Sequence, residues 1–197
     1  MSKQSLLDRV KSGVLREEHV CPWWLAFTFD NPLRKFLHDP ERILAGLVKP
    51  GMTVADIGCG MGYFSIAMAR MVGPKGKVLS LDIQQEMIER LMRRARKQRV
   101  PDVIETRLIP KNDISLAGPL DFVLAFWMVH ETGDVPRFLR QVASVLKPGG
   151  TMMIAEPRMH VSARAFAVTL RHARDAGFRV SGGPKTGWSR TAVLTRD

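Results

Sequence analysis

The stretch VADIGCGMGYF, residues 54 to 64, ends an apolar run on Asp56 and then places glycine at 58, 60 and 62. Glycines at alternate positions between a strand-like run and a helical segment free the backbone for positive φ and for close approach to a neighbour or ligand. Such a turn belongs at the carboxyl edge of a parallel sheet, where ligands bind in the crevice beyond the strand ends. The surrounding chain must supply that sheet.

From Thr53 onward, β-rich runs alternate with amphipathic segments. The runs are TVADI, KVLSLDI, VIETRLI, LDFVLAFW, TMMIAE, FRVSG and TAVLT. The segments YFSIAMARMV, QEMIERLMRRARKQ and DVPRFLRQVASVLK have the length of crossover helices, whereas the NDISLAG link is too short for a long helix. The pattern predicts an α/β, Rossmann-like, doubly wound, seven-stranded mixed sheet. Only GGPKTGWSR separates the last two runs, so they are predicted to form an antiparallel C-terminal hairpin. Asp39 before Pro40 reads as an N-cap, and KPG at 49–51 and KPGG at 147–150 read as helix ends ahead of strands.

Residues 1–48 read as two or three helices interrupted by the aromatic segment HVCPWWLAFTFDNP, a candidate lid or brace, and residues 49–197 as the ligand-binding domain. With 197 residues and 45% hydrophobic content the chain can bury one sizeable core. Its N-terminus is charged throughout, and no stretch reaches the ~20 apolar residues of a membrane span. Only Cys21 and Cys59 are present. These features lead us to expect a cytoplasmic protein.

The net charge is +11, concentrated in RLMRRARKQR at 90–99. A solvated helix face explains that segment better than a nucleic-acid or anionic membrane footprint. A second basic set, Arg158, Arg164, Arg171, Arg174 and Lys185, lies nearer the strand ends in sequence order.

A nicotinamide fingerprint starting at Gly58 would require glycine at 63, where Tyr63 stands. Asp82, closing the second strand, can instead accept hydrogen bonds from two ribose hydroxyls, which points to a nucleoside-bearing ligand.

Together VADIGCGMGYF, VLSLDI, LDFVLAF and LKPGG resemble a class I S-adenosylmethionine-dependent methyltransferase of the small-molecule, quinone-biosynthesis-like branch, over roughly residues 40 to 197. The resemblance implies S-adenosyl-L-methionine as methyl donor and S-adenosyl-L-homocysteine as product. It implies that Asp56, Gly58, Gly60 and Gly62 hold the methionine end, with Asp82 on the ribose and Ile83 against adenine. It further implies Asp113 or its neighbour Asn112 at the adenine amino group, and the backbone of Ala125 and Phe126 along the methionine moiety.

On the acceptor side, His130 and Glu131 in FWMVHE and Glu156 and His160 in AEPRMH follow adjacent strands. They are candidates for general base and orienter, and alternatively for a divalent metal set, which methyl transfer does not require. His19 and Cys21, beside Trp23 and Trp24, could complete such a site, and Trp127 could wall it. No N-P-P-Y-type tetrad follows the fourth strand, which disfavours nucleobase or amide acceptors. The resulting expectation is methyl transfer to a small acceptor, anionic or aromatic. The alternatives are an RNA methyltransferase, a non-catalytic S-adenosylmethionine-binding protein, or an enzyme using the donor for other chemistry with a metal at His130 and His160. Oligomeric state is open.

Overall fold

The computed structural model describes residues 38–111, 113–114 and 116–197. The segment HVCPWWLAFTFDNP, with His19, Cys21, Trp23 and Trp24, lies outside the described residues, as does Asn112. The elements in chain order are α1 (Pro40–Leu44), β1 (Thr53–Ile57), α2 (Tyr63–Val72), β2 (Lys77–Asp82), α3 (Gln85–Lys97), β3 (Ile104–Leu108), β4 (Leu120–Phe126), α4 (Val135–Val145), β5 (Leu146–Pro157), α5 (Ala163–Asp175), β6 (Phe178–Gly182) and β7 (Ser189–Arg196).

The strands form a single seven-stranded sheet ordered β3-β2-β1-β4-β5-β7-β6. Neighbours from β3 to β5 run parallel, and β7 lies antiparallel to both β5 and β6. The predicted mixed sheet and terminal hairpin are therefore present. Strand order reverses between β1 and β4, which places the crevice of a doubly wound fold above those two strands.

Both sheet faces are buried, as the near-continuous apolar runs of parallel strands require. Ala55, Leu79, Leu81, Val123 and Ile154 face one layer, which contains Phe138 and Leu139 of α4 and Phe166 of α5. Val54, Val78, Phe122, Leu124 and Met153 face the other, containing Phe64 and Met68 of α2 and Leu91 of α3. In α3 the buried residues Met87, Ile88, Leu91 and Ala95 recur at helical spacing, and its arginines occupy the other positions. Leu91 and Leu139 are fully buried, so truncating either to alanine should cost about 2–5 kcal/mol.

Local boundaries depart from the sequence expectation where tertiary pairing takes over. Asp39 does cap α1, its carboxylate accepting from the backbone N–H groups of Glu41 and Arg42. That helix stops at Leu44, however, and the chain passes Gly46 at positive φ before reaching KPG. KPGG lies within the irregular start of β5, where pairing with β4 jumps from Leu120↔Leu146 to Phe122↔Thr151. Lys147 is held there by Asp121, Nζ to Oδ1 at 2.5 Å, while Asp121 Oδ2 accepts the Thr53 backbone N–H at 2.8 Å. This clamp ties β1, β4 and β5 at their amino ends, opposite the crevice.

Candidate functional site

The loops after β1, β2, β3, β4 and β5 lie at the carboxyl ends of the parallel strands. The first, after β1, carries the glycines. A Cβ on Gly58 would stand 2.9 Å from Met128 Cβ, and one on Gly62 would stand 2.6 Å from Leu91 Cγ. A Cβ on Gly60 would meet nothing within 4 Å. Side chains are thus excluded at 58 by the loop after β4 and at 62 by α3, and only at 60 does the backbone face open space. Gly62 adopts φ +81, the left-handed conformation that starts α2 without a side-chain cap.

The open position is tied to the acid of the next strand. The Gly60 backbone N–H donates to Asp82 Oδ2 at 2.8 Å, and the Gln84 N–H donates to Oδ1 at 3.0 Å. Asp82 is buried, and no cation pairs with it among the described residues. Burial pushes its carboxyl above the ordinary carboxylate range, with the backbone N–H groups of Gln84, Gly60 and Ile83 pulling the other way. With no cation to saturate it, the carboxylate keeps acceptor capacity beyond these backbone contacts, which suits hydroxyl donors. Beside it, Ile83 exposes 36% of its surface and Leu108, at the end of β3, exposes 55%, so an apolar ring system would find cover there.

Asp56 is almost fully buried, and its Oδ2 accepts the Ser65 hydroxyl at 2.6 Å. Ser65, one turn into α2, fixes the orientation of this carboxylate. Asp113, after β3, accepts Gln141 Nε2 of α4 on its Oδ1 at 2.9 Å. Ala125 and Phe126 end β4 with their side chains buried, Phe126 against Phe64 at a centroid separation of 4.4 Å. Only their backbone is then available to a ligand. Trp127 follows at φ 61, its indole N–H donating to Ser189 Oγ at 2.9 Å, with the His38 ring edge-on at 5.0 Å. The rim tryptophan is thus held by the frame on the Ser189 side.

The loops after β4 and β5 bring His130 and Glu156 together. His130 Nδ1 lies 2.7 Å from Glu156 Oε2, and Glu156 also accepts the backbone N–H of Val129 (3.0 Å, on Oε1) and of His130 (3.2 Å, on Oε2). Glu156 is only 2% exposed, and the His130 side chain 24%. An ionised carboxylate only accepts, so Nδ1 carries the hydrogen and Nε2 is the basic nitrogen of the neutral ring. The hydrogen bond to Glu156 raises the His130 pKa above its ordinary value, burial opposes, and the charges of Glu156 and Glu131 add to the rise.

His160 is exposed, its ring edge-on to His130 with centroids 5.8 Å apart. Glu131 adds its negative charge to the field on the His130 imidazole. Among the described residues no group of three or more His, Cys, Asp or Glu side chains is placed to hold a metal. Glu156 in particular already spends both oxygens on three hydrogen bonds. Sequence reasoning nominated His130 and Glu156 among four candidates without pairing them, and it passed over Ser65, Gln84 and Ser189, whose contacts depend on which backbone or side chain the fold sets beside them.

A doubly wound sheet with a glycine turn after β1 and an acid closing β2 defines a domain for a nucleoside-bearing ligand. Comparison with known proteins narrows this class. A model described as "Methyltransferase domain" matches residues 48–180, and the chain belongs to that family, with the class I S-adenosylmethionine-dependent methyltransferase fold. Among curated relatives, a ubiquinone biosynthesis O-methyltransferase of Caulobacter vibrioides is 32% identical over 146 residues, 74% of this chain and 56% of the relative. A demethylmenaquinone methyltransferase of Symbiobacterium thermophilum is 32% identical over 109 residues, 55% of this chain and 43% of the relative. The chain spans about half the length of these curated relatives. Among solved structures, an S-adenosylmethionine-dependent methyltransferase from Aquifex aeolicus superposes with a TM-score of 0.78 at 28% identity, covering 89% of this chain and 98% of that one. No helix among the described residues is long and apolar enough to cross a membrane.

Proposed function

We propose that the chain transfers a methyl group from S-adenosylmethionine to a hydroxyl of a small acceptor, with His130 as general base and Glu156 as its orienting partner. The observation that carries this reading is the 2.7 Å contact between His130 Nδ1 and a buried carboxylate at the ends of adjacent strands. The donor side fits on independent grounds. Asp82 is a buried acid with no cationic partner among the described residues and spare acceptor capacity, Ile83 offers an apolar face, and Gly60 leaves space above its Cα.

When bound, S-adenosylmethionine supplies an electrophilic methyl on a sulfonium, which departs as S-adenosylhomocysteine. Asp82 would accept the ribose hydroxyls, held in place by the Gly60 and Gln84 N–H groups. Asp56, aligned by Ser65, would lie near the ammonium, a favourable pairing of opposite charges. Asp113, anchored to Gln141, would lie near the adenine amino group. Because the leaving group is good, the residues mainly align acceptor oxygen and methyl carbon.

His130 Nε2 accepts the proton that the acceptor hydroxyl loses as its oxygen bonds to carbon. Glu156 then stabilises the imidazolium through Nδ1, the role of an orienting carboxylate in a catalytic triad. Base catalysis of this kind contributes about 10²–10⁴-fold. The curated relatives named above support a small-molecule acceptor.

The reading is tested by His130→Ala in a single-turnover assay with radiolabelled donor and a panel of phenols. Turnover should fall by the base contribution while donor affinity persists. Unchanged turnover in that variant would refute the role of His130.

A further inference from the structure

The acceptor end carries a second cluster that the methyl-transfer reading does not use. In the antiparallel pairing of β5 with β7, Arg190 stands directly opposite Glu156, followed by Ser189 opposite Pro157. The Arg158 N–H donates to the Trp188 carbonyl at 2.8 Å, extending the ladder by one step. Directly opposed residues share a sheet face with Cβ atoms about 5 Å apart. Arg190 therefore starts one cross-strand step from the carboxylate that holds His130.

Both guanidinium groups are pre-oriented through a single nitrogen. Arg190 Nε donates to the Val161 carbonyl at 3.0 Å, and Arg158 Nε donates to the Ser189 carbonyl at 3.1 Å. Neither has a carboxylate partner among the described residues, whereas Arg107 is matched by Glu105 and Arg179 by Asp197. Anchoring Nε to backbone leaves the terminal nitrogens to present the planar fork that suits a carboxylate.

Apolar surface borders the same place. Met159 is 81% exposed and Trp188 65% exposed. Trp188 also adopts φ 55, a strained conformation for a bulky residue. Strain of this kind clusters at ligand-binding positions. An exposed aromatic ring beside two carboxylate-free arginines is a recognition element for a planar anion.

We infer that the acceptor is an aromatic hydroxy-carboxylate, with its carboxylate on Arg158 and Arg190, its ring against Trp188 and Met159, and its hydroxyl toward His130. This inference rests on the methyl-transfer reading for the role of His130, but its own claim is one of binding specificity.

It is tested by calorimetric titration of 4-hydroxybenzoate and of its neutral analogue 4-hydroxybenzamide into the full chain saturated with S-adenosylhomocysteine. The wild-type chain should bind the carboxylate at least tenfold tighter than the amide (~1.4 kcal/mol). Arg158→Gln and Arg190→Gln, each retaining S-adenosylhomocysteine, should erase that preference while leaving amide affinity in place. Trp188→Ala should weaken both probes. Equal affinities in the wild-type chain, which need no variant, would overturn the inference. So would a preference surviving in Arg158→Gln and Arg190→Gln, or no binding of either probe to a chain that still binds S-adenosylhomocysteine. Failure to bind S-adenosylhomocysteine itself would instead contradict the donor reading.

Discussion

The two ends of the crevice are built on different principles. At the β1/β2 end, Asp82 is gripped by backbone N–H groups from its own loop and from the neighbouring glycine turn. At the β4/β5/β7 end, His130, Glu156 and Arg190 come from three strand ends and owe their proximity to inter-strand register. The first end rests on one pair of adjacent strands, β1 and β2, and the turns that follow them. The second is a product of the whole sheet, free to vary while the scaffold stays fixed, as function grafted on a shared fold requires.

The sharpest way to separate the two ends is by the property each should lose. His130→Ala should cost about 10²–10⁴ in turnover without changing donor affinity, measured by single-turnover kinetics alongside calorimetry. A parallel loss of donor affinity would mean the two ends are not independent.

Next in size is a contrast within the glycine turn. Gly62→Ala drives a Cβ to 2.6 Å from Leu91 Cγ at φ +81, so unfolding free energy in urea should fall by about 1–3 kcal/mol. Gly60→Ala meets no atom within 4 Å and should lose stability only from its positive φ, about 1–2 kcal/mol at most, while weakening donor binding. Equal stability losses with no change in binding would dissolve the distinction between the open glycine and the packed one.

A finer test uses pH. Because Glu156 raises the His130 pKa, the basic form of His130 is lost as pH falls through that raised value, giving kcat/KM an acid limb above the ordinary histidine range. Glu156→Gln should move the limb to lower pH and reduce the plateau. The same linkage acts on stability. The ion pair contributes fully below the unfolded histidine pKa of about 6.5, and its contribution fades as pH rises through the raised folded value. A limb unmoved in Glu156→Gln would assign it to another group.

How much of this was legible in the sequence follows from the same contrast. Strand runs, the C-terminal hairpin and the glycine turn with Asp56 and Asp82 were readable because local pattern dictates them. The true start of β5 was not, because KPGG reads as a helix stop and its pairing with Leu120 depends on a register jump. Likewise VHE and AEP nominated His130 and Glu156 by position alone, but only the fold shows that Nδ1 meets Oε2. Arg190 gave no signal, since its place opposite Glu156 appears only once β7 is paired with β5. The role of Gly62 was similarly hidden. Its neighbour is Leu91, 29 positions along the chain.

The most direct measurement is calorimetric titration of S-adenosylmethionine into the wild-type chain, Asp82→Ala and His130→Ala. Two hydrogen bonds to a charged acceptor at about 1.5–3 kcal/mol each imply at least a hundredfold loss of affinity for Asp82→Ala, with His130→Ala matching the wild type. Absence of saturable binding in the wild type, or binding that survives Asp82→Ala unchanged, would contradict the assignment of the glycine turn and its acid to the methyl donor.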